Sequence, residues 1–162
     1  MIKVYLWRFH GTNVGHLSMS LSDSIHISFW PQEELELKRK KNAAGVQSYE
    51  DDVKSEGRPA DEILELPDDI VNQDKIKSWW SNYTTNNRYH LLTKNCAKVV
   101  QEALIVGGIY QSPRVGENSD NLFAPFEVFA WIKECKKLYP IKQDNSIAAQ
   151  VFRGIRDFYY NS

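Results

Sequence analysis

The chain has 162 residues, enough for one domain with a proper core and no need of staples. Its 20 basic and 21 acidic side chains leave a net charge of −1, which removes any general electrostatic pull toward nucleic acid or anionic lipid, so partners must be recognised by shape. Two cysteines, Cys96 and Cys135, are too few for a secreted disulfide scaffold of this length, and a reducing compartment is expected.

Residues Ile2 to Trp7 alternate, with Ile2, Val4 and Leu6 on one face and Lys3, Tyr5 and Trp7 on the other, which predicts a strand. No long apolar segment follows, so neither a secretory signal nor a membrane span is expected, and the protein is placed in the cytoplasm or on a signal-independent export route. After the glycine-punctuated loop Phe9 to Gly15, alternation resumes: Leu17, Met19 and Leu21 oppose His16, Ser18 and Ser20. Past the turn residues Ser22-Asp23-Ser24, Ile25, Ile27 and Phe29 oppose His26, Ser28 and Trp30. This is the pattern of a β-hairpin. With Asp23 at the turn centre, Ser18 faces Ser28 and His16 faces Trp30, gathering the small and polar residues on one face.

From about 32 to 73 the pattern loosens, with a short helix at Glu33 to Lys41 and an acidic stretch at Tyr49 to Glu62 broken by Gly57 and Pro59. This region reads as a charged insertion in a single domain, either a solvated connection or a flap over the site. Asp74 to Tyr83 is expected to be helical with Ile76, Trp79 and Trp80 inward, then a polar turn over Ser81 to Asn87 and a strand from Arg88 to Thr93. The next helix has an apolar stripe of Cys96, Val99, Val100, Ala103 and Leu104 and closes at Gly107-Gly108. Helix-like segments follow at Pro125 to Leu138 and Ile147 to Tyr160.

Asn95 is a good N-cap, which makes Cys96 the first helical residue, beside unpaired N–H groups at the positive end of the helix dipole. A surface helix terminus is worth roughly 0.3–1 kcal/mol, whereas a tenfold change in thiol ionisation takes about 1.4 kcal/mol. A partner base is therefore required. The alternative is that Cys96 simply packs, as most cysteines on an apolar stripe do.

Three pieces of the chain, Val14 to Met19, Ile25 to Pro31 and Tyr89 to Cys96, together resemble the circularly permuted papain-like (NlpC-like) fold, as found in bacterial effector and toxin domains. The resemblance covers about residues 1 to 108 and implies an α+β architecture, an antiparallel sheet packed against helices. In permuted members the histidine comes first, on a strand, and the cysteine later, at a helix start. By position Cys96 is then the nucleophile and His16 its base. His26 and Ser28 compete to orient His16. His26 is preferred because an imidazole nitrogen accepts the Nδ1 proton of His16 more strongly than a hydroxyl does. The oxyanion is assigned to the backbone N–H of Cys96.

The expected activity is a cysteine hydrolase of the peptidase or amidase class acting through an acyl-enzyme on a peptide, protein conjugate or cell-wall peptide. An acyltransferase on the same scaffold and an inactive binding module are the alternatives. No cofactor is needed, and no short ligand spacing supports a metal site. His10 is expected to be exposed, His90 structural, Cys135 a packing residue, and the aromatics Trp79-Trp80 and Phe158-Tyr159-Tyr160 parts of the core or its cover.

Overall fold

A computed structural model describes residues 1–11, 14–30, 41–42, 48–86, 88–89, 95–111 and 121–143, with the side chains of 41–42, 84–86, 88–89 and 141–143 left aside. Strands β1 (Ile2–Trp7), β2 (His16–Ser20), β3 (His26–Ile27) and β5 (Glu62–Leu66) form an antiparallel sheet in the order β3-β2-β1-β5. A short pair, β4 (Lys41–Asn42) and β6 (Arg88–Tyr89), stands apart from it. The described helices are α1 (Tyr49–Glu56), α2 (Gln73–Asn86), α3 (Cys96–Val106) and α4 (Pro125–Gln143). The protein is thus α+β, built on a four-stranded antiparallel sheet.

One face of the sheet is apolar. Ile2, Val4, Leu6, Leu17, Met19 and Ile27 join Ile76 of α2, Val99, Val100, Ala103 and Leu104 of α3, and Val128 and Ile132 of α4 in a single buried cluster. The alternation that predicted the strands produces this face directly, because successive side chains of a strand point to opposite sides. Cys135 lies fully buried in the same cluster, and burial pushes its thiol up to about 12.

The opposite face follows the predicted register. Met19 pairs with Ile27 and Ser20 with His26, which centres the turn on Asp23. Lys3, Tyr5 and Trp7 of β1 pair with Ser20, Ser18 and His16. Cross-strand rows result: Lys3, Ser20 and His26 in one, and Trp7 beside His16 in another. Gly15 sets the entry to β2. Its φ of +85° suits glycine, and a Cβ there would stand 2.7 Å from the Trp7 carbonyl oxygen.

Several expectations change. The stretch read as a charged insertion supplies a strand of the central sheet, β5, which pairs with β1 from Ile2↔Leu66 to Leu6↔Glu62. It also supplies the buried residues Ile70 and Val71 and the helix α1. Period-two alternation is masked in β5 because it is an edge strand whose exposed face carries Ile63 (53% exposed) among glutamates. Helix α1 opens with a capping box, in which Ser48 Oγ accepts from Asp51 N–H while the Asp51 carboxylate accepts from Ser48 N–H. It closes at Gly57, φ +72°, in the left-handed region. Helix α2 runs to Asn86, through most of the expected polar turn, and α4 runs to Gln143, past Leu138. The expected helix at Glu33 to Lys41 lies outside the described residues apart from Lys41, which is in β4. His90, the strand residues after Tyr89, and the segment Ile147 to Tyr160 also lie outside them. Among the described residues no helix is long and apolar enough to cross a membrane.

Candidate active site

The polar face of the sheet is covered by α1, and the cover is polar too. Tyr49 of α1 lies on Tyr5, ring centroids 4.4 Å apart, and Trp7 Nε1 donates to the Arg58 carbonyl just after the helix. These contacts bring Asp52 down onto the strands, fully buried. Its Oδ1 accepts from Ser28 Oγ at 2.6 Å and Trp30 Nε1 at 2.8 Å, and its Oδ2 accepts from His26 Nε2 at 2.9 Å. His16 Nε2 stands 3.5 Å from the same Oδ2 and 3.0 Å from Ser28 Oγ. So many donors hold the Asp52 carboxyl ionised. Burial opposes the charge, but the hydrogen bonds from His16 and His26 outweigh it and keep the group far below the usual carboxylate range.

His16 is 1% exposed. Trp30 stacks on its ring at 4.1 Å between centroids, and Trp7 stands on it at 5.6 Å. Nε2 is engaged by Ser28 and Asp52, which leaves Nδ1 for a further partner, and Cys96 lies near enough to the imidazole to act on its charge. Burial pulls the His16 pKa down. The charge of the Cys96 sulfur and the Asp52 carboxylate more than offset it, raising the value from 6.5 to about 9.

Cys96 arrives at this point as the first residue of α3. Asn95 caps the helix as expected, its side-chain oxygen accepting from Lys98 N–H at 2.9 Å while its Nδ2 donates to the Phe123 carbonyl at 2.9 Å. The stripe Cys96, Val99, Val100, Ala103 and Leu104 is buried throughout. Among the described residues the backbone N–H of Cys96 has no acceptor, as befits the first turn of a helix.

The structure therefore brings Cys96, His16 and Ser28 together, and it places His26 differently from the sequence preference. Among the described residues no hydrogen bond joins His26 to His16. His26 on β3 stands opposite Ser20, four residues along β2 from His16, so the two rings do not lie side by side. The gap is filled by Asp52, on which both rings converge. The nitrogen also changes, since His16 turns Nε2 toward the orienting groups where the sequence reading used Nδ1. His26 Nδ1 is occupied by Ser20 Oγ at 2.9 Å.

Asp52 is the residue that sequence reasoning missed. Its stretch, Tyr49-Glu50-Asp51-Asp52, carries the charge of a solvated face. The Ser48-x-x-Asp51 box marks a helix start there, but nothing local distinguishes Asp52, fully buried, from its exposed neighbours Glu50 and Asp51. His10 is exposed. Among the described residues no group of three or more His, Cys, Asp or Glu is arranged to hold a metal ion. No family model, curated protein or solved structure matches the chain, so the chemistry of the site is read from its geometry.

Proposed function

We propose that the protein is a cysteine hydrolase of the peptidase or amidase class, with Cys96 as nucleophile, His16 as general base and acid, and Asp52, acting with Ser28, as the group that orients and charges His16. The observation that carries this reading is the closeness of Cys96 to the His16 ring, near enough to raise its pKa, together with the Ser28 and Asp52 contacts on Nε2 of the same ring. The order of parts, a histidine on an early strand and a cysteine at a later helix start, is also that of the permuted papain-like enzymes the sequence resembles.

The chemistry runs through ordinary steps. His16 Nδ1 takes the thiol proton, and the sulfur attacks an amide, isopeptide or thioester carbonyl carbon. The oxygen becomes an oxyanion, which the free N–H of Cys96 is positioned to meet at the positive end of α3. The imidazolium gives its proton to the leaving group as the carbon–heteroatom bond breaks, leaving a thioester on Cys96. His16 then deprotonates a water that attacks the thioester, and the acid departs with the thiol restored. Asp52 does not itself take up a proton. Its charge favours the imidazolium and its acceptors fix the ring, as in other acid–histidine–nucleophile sets.

The test is labelling and turnover on one preparation. Iodoacetamide is expected to alkylate Cys96 in the folded protein and spare the fully buried Cys135. Cleavage of a panel of peptide, isopeptide and thioester substrates should vanish in Cys96→Ala and His16→Ala. Full hydrolysis by the Cys96→Ala protein, or preferential alkylation of Cys135, would overturn the proposal. Delivery of the acyl group to an added amine rather than to water would assign the protein to the acyltransferase branch of the same chemistry.

A further inference from the structure

On the side of His26 away from His16 lies a cleft of about 350 Å³, large enough for a small molecule. The cross-strand row Lys3, Ser20 and His26 lines it, with Tyr49 and Glu50 contributed by the start of α1. The Met1 ammonium on its lining is paired with Asp68 at 2.6 Å, and the other two charges, Lys3 and Glu50, have opposite sign and form no ion pair with each other. The Lys3 ammonium is held only loosely, 3.8 Å from Glu65 with both side chains about half exposed, a pairing worth little in water. Glu50 is exposed, and among the described residues it makes no ion pair.

Ser20, opposite Lys3 on the neighbouring strand, also lines the cleft. Its hydroxyl contacts His26 Nδ1 at 2.9 Å, and His26 Nε2 in turn contacts Asp52 Oδ2 at 2.9 Å. A hydroxyl can donate and accept, so Ser20 offers the cleft a polar contact of either kind. A purely anionic ligand would set its charge against Glu50, and a purely cationic one against Lys3. A molecule with both charges can meet both groups and hydrogen-bond Ser20 as well.

We propose that this cleft binds a small zwitterion, an amino acid or short peptide with a free ammonium on Glu50 and a free carboxylate on Lys3. Such a ligand is joined to the Cys96 partner by a short chain of contacts: Ser20 to His26 at 2.9 Å, His26 to Asp52 at 2.9 Å, and Asp52 to His16 at 3.5 Å. Occupancy is then felt at the His26 ring. The site does not depend on the hydrolase reading, because binding needs neither Cys96 nor turnover.

The experiment is a titration of ¹⁵N-labelled Cys96→Ala protein with alanyl-alanine, followed through backbone amides and histidine ring nitrogens. Saturable shifts are expected at Lys3, Ser20 and His26, with His10 unmoved. Lys3→Gln and Glu50→Gln, both exposed and therefore harmless to the fold, should each weaken binding about tenfold, the loss expected from removing one charge-assisted hydrogen bond. N-acetyl-alanyl-alanine amide, acetate and methylammonium should fail to saturate the same signals. Absence of shifts with alanyl-alanine, equal binding of the capped peptide or of acetate, or unchanged affinity in both variants would each overturn the proposal.

Discussion

The two faces of the central sheet are held by different forces. Beneath α2, α3 and α4 the contact is a continuous apolar cluster, Leu17 and Met19 against Val99, Val100 and Ile132, whose stability scales with area removed from water. Beneath α1 the contact is a hydrogen-bonded knot around one carboxylate, with His16, His26, Ser28 and Asp52 all buried. The first arrangement tolerates shape changes at a graded cost. The second depends on every partner being present, because a buried polar group left alone costs its full desolvation. Cys96 and His16 meet on the second face, to which α3 delivers the cysteine. The helix that makes the core thus also supplies the proposed nucleophile.

The largest effect should come from the knot. Asp52→Ala leaves Ser28, Trp30 and His26 without their acceptor, and breaking a buried charged set of this kind costs about 3–5 kcal/mol. Chemical denaturation should register that loss, and alkylation of Cys96 in the surviving folded fraction should slow. An Asp52→Ala protein with normal stability and a normally reactive Cys96 would show that the carboxylate orients nothing.

On the other face, Leu104→Ala is expected to cost about 2–5 kcal/mol, the range for an emptied leucine site. The reactivity of Cys96 per folded molecule should hardly change. This is the sharpest contrast between the faces: a comparable stability loss, with alkylation kinetics affected in one case only.

Acid and base separate the two faces as well. Asp52, depressed in the folded state, contributes stability above its unfolded pKa near ~3.9, and that contribution is lost as pH falls further. His16 is raised to about 9, so its contribution is complete below pH 6.5 and drains away as pH rises toward 9. Thermal melts should therefore fall on both sides, with the alkaline decline confined largely to that interval. Cys96→Ala removes a principal cause of the raised His16 value and should flatten the alkaline limb. A limb unchanged by that substitution would mean that the sulfur does not charge the ring.

The smallest effects lie within the polar face itself. Ser28→Ala removes a bond to Asp52 and one to His16 and should cost about 1–3 kcal/mol, the penalty for leaving buried groups unpaired. Ser18, also fully buried, has no hydrogen-bond partner for its hydroxyl among the described residues. Ser18→Ala should be neutral or slightly stabilising. If the two serines behave alike, the knot is not organised around Asp52.

Much of the frame was written locally. The alternation from Ile2 to Trp7 and from His16 to Phe29 predicted the strands, and Asp23 at the turn centre predicted the observed pairing. A register slip of one residue would have exchanged the buried apolar and polar sets, so the pattern left little freedom. Asn95, the stripe through Leu104 and Gly107 marked the ends and inner side of α3 with equal economy. Less was legible between Ser48 and Leu66. The box at Ser48 was there to be read, but a glutamate-rich edge strand and a helix whose buried residues include Asp52 and Glu56 carry no apolar periodicity to announce them.

The sequence by itself determined which residues share a strand face and which begin a helix, because those relations depend on neighbours two to four positions away and on backbone geometry that repeats. Only the tertiary structure decided that Asp52, 36 positions after His16 in the chain, would fill the space between His16 and His26, and that Cys96 would come up beside the His16 ring. A buried carboxylate looks like a solvated one until the partners that replace its water are in place, and here those partners come from the hairpin strands and α1 brought together by folding.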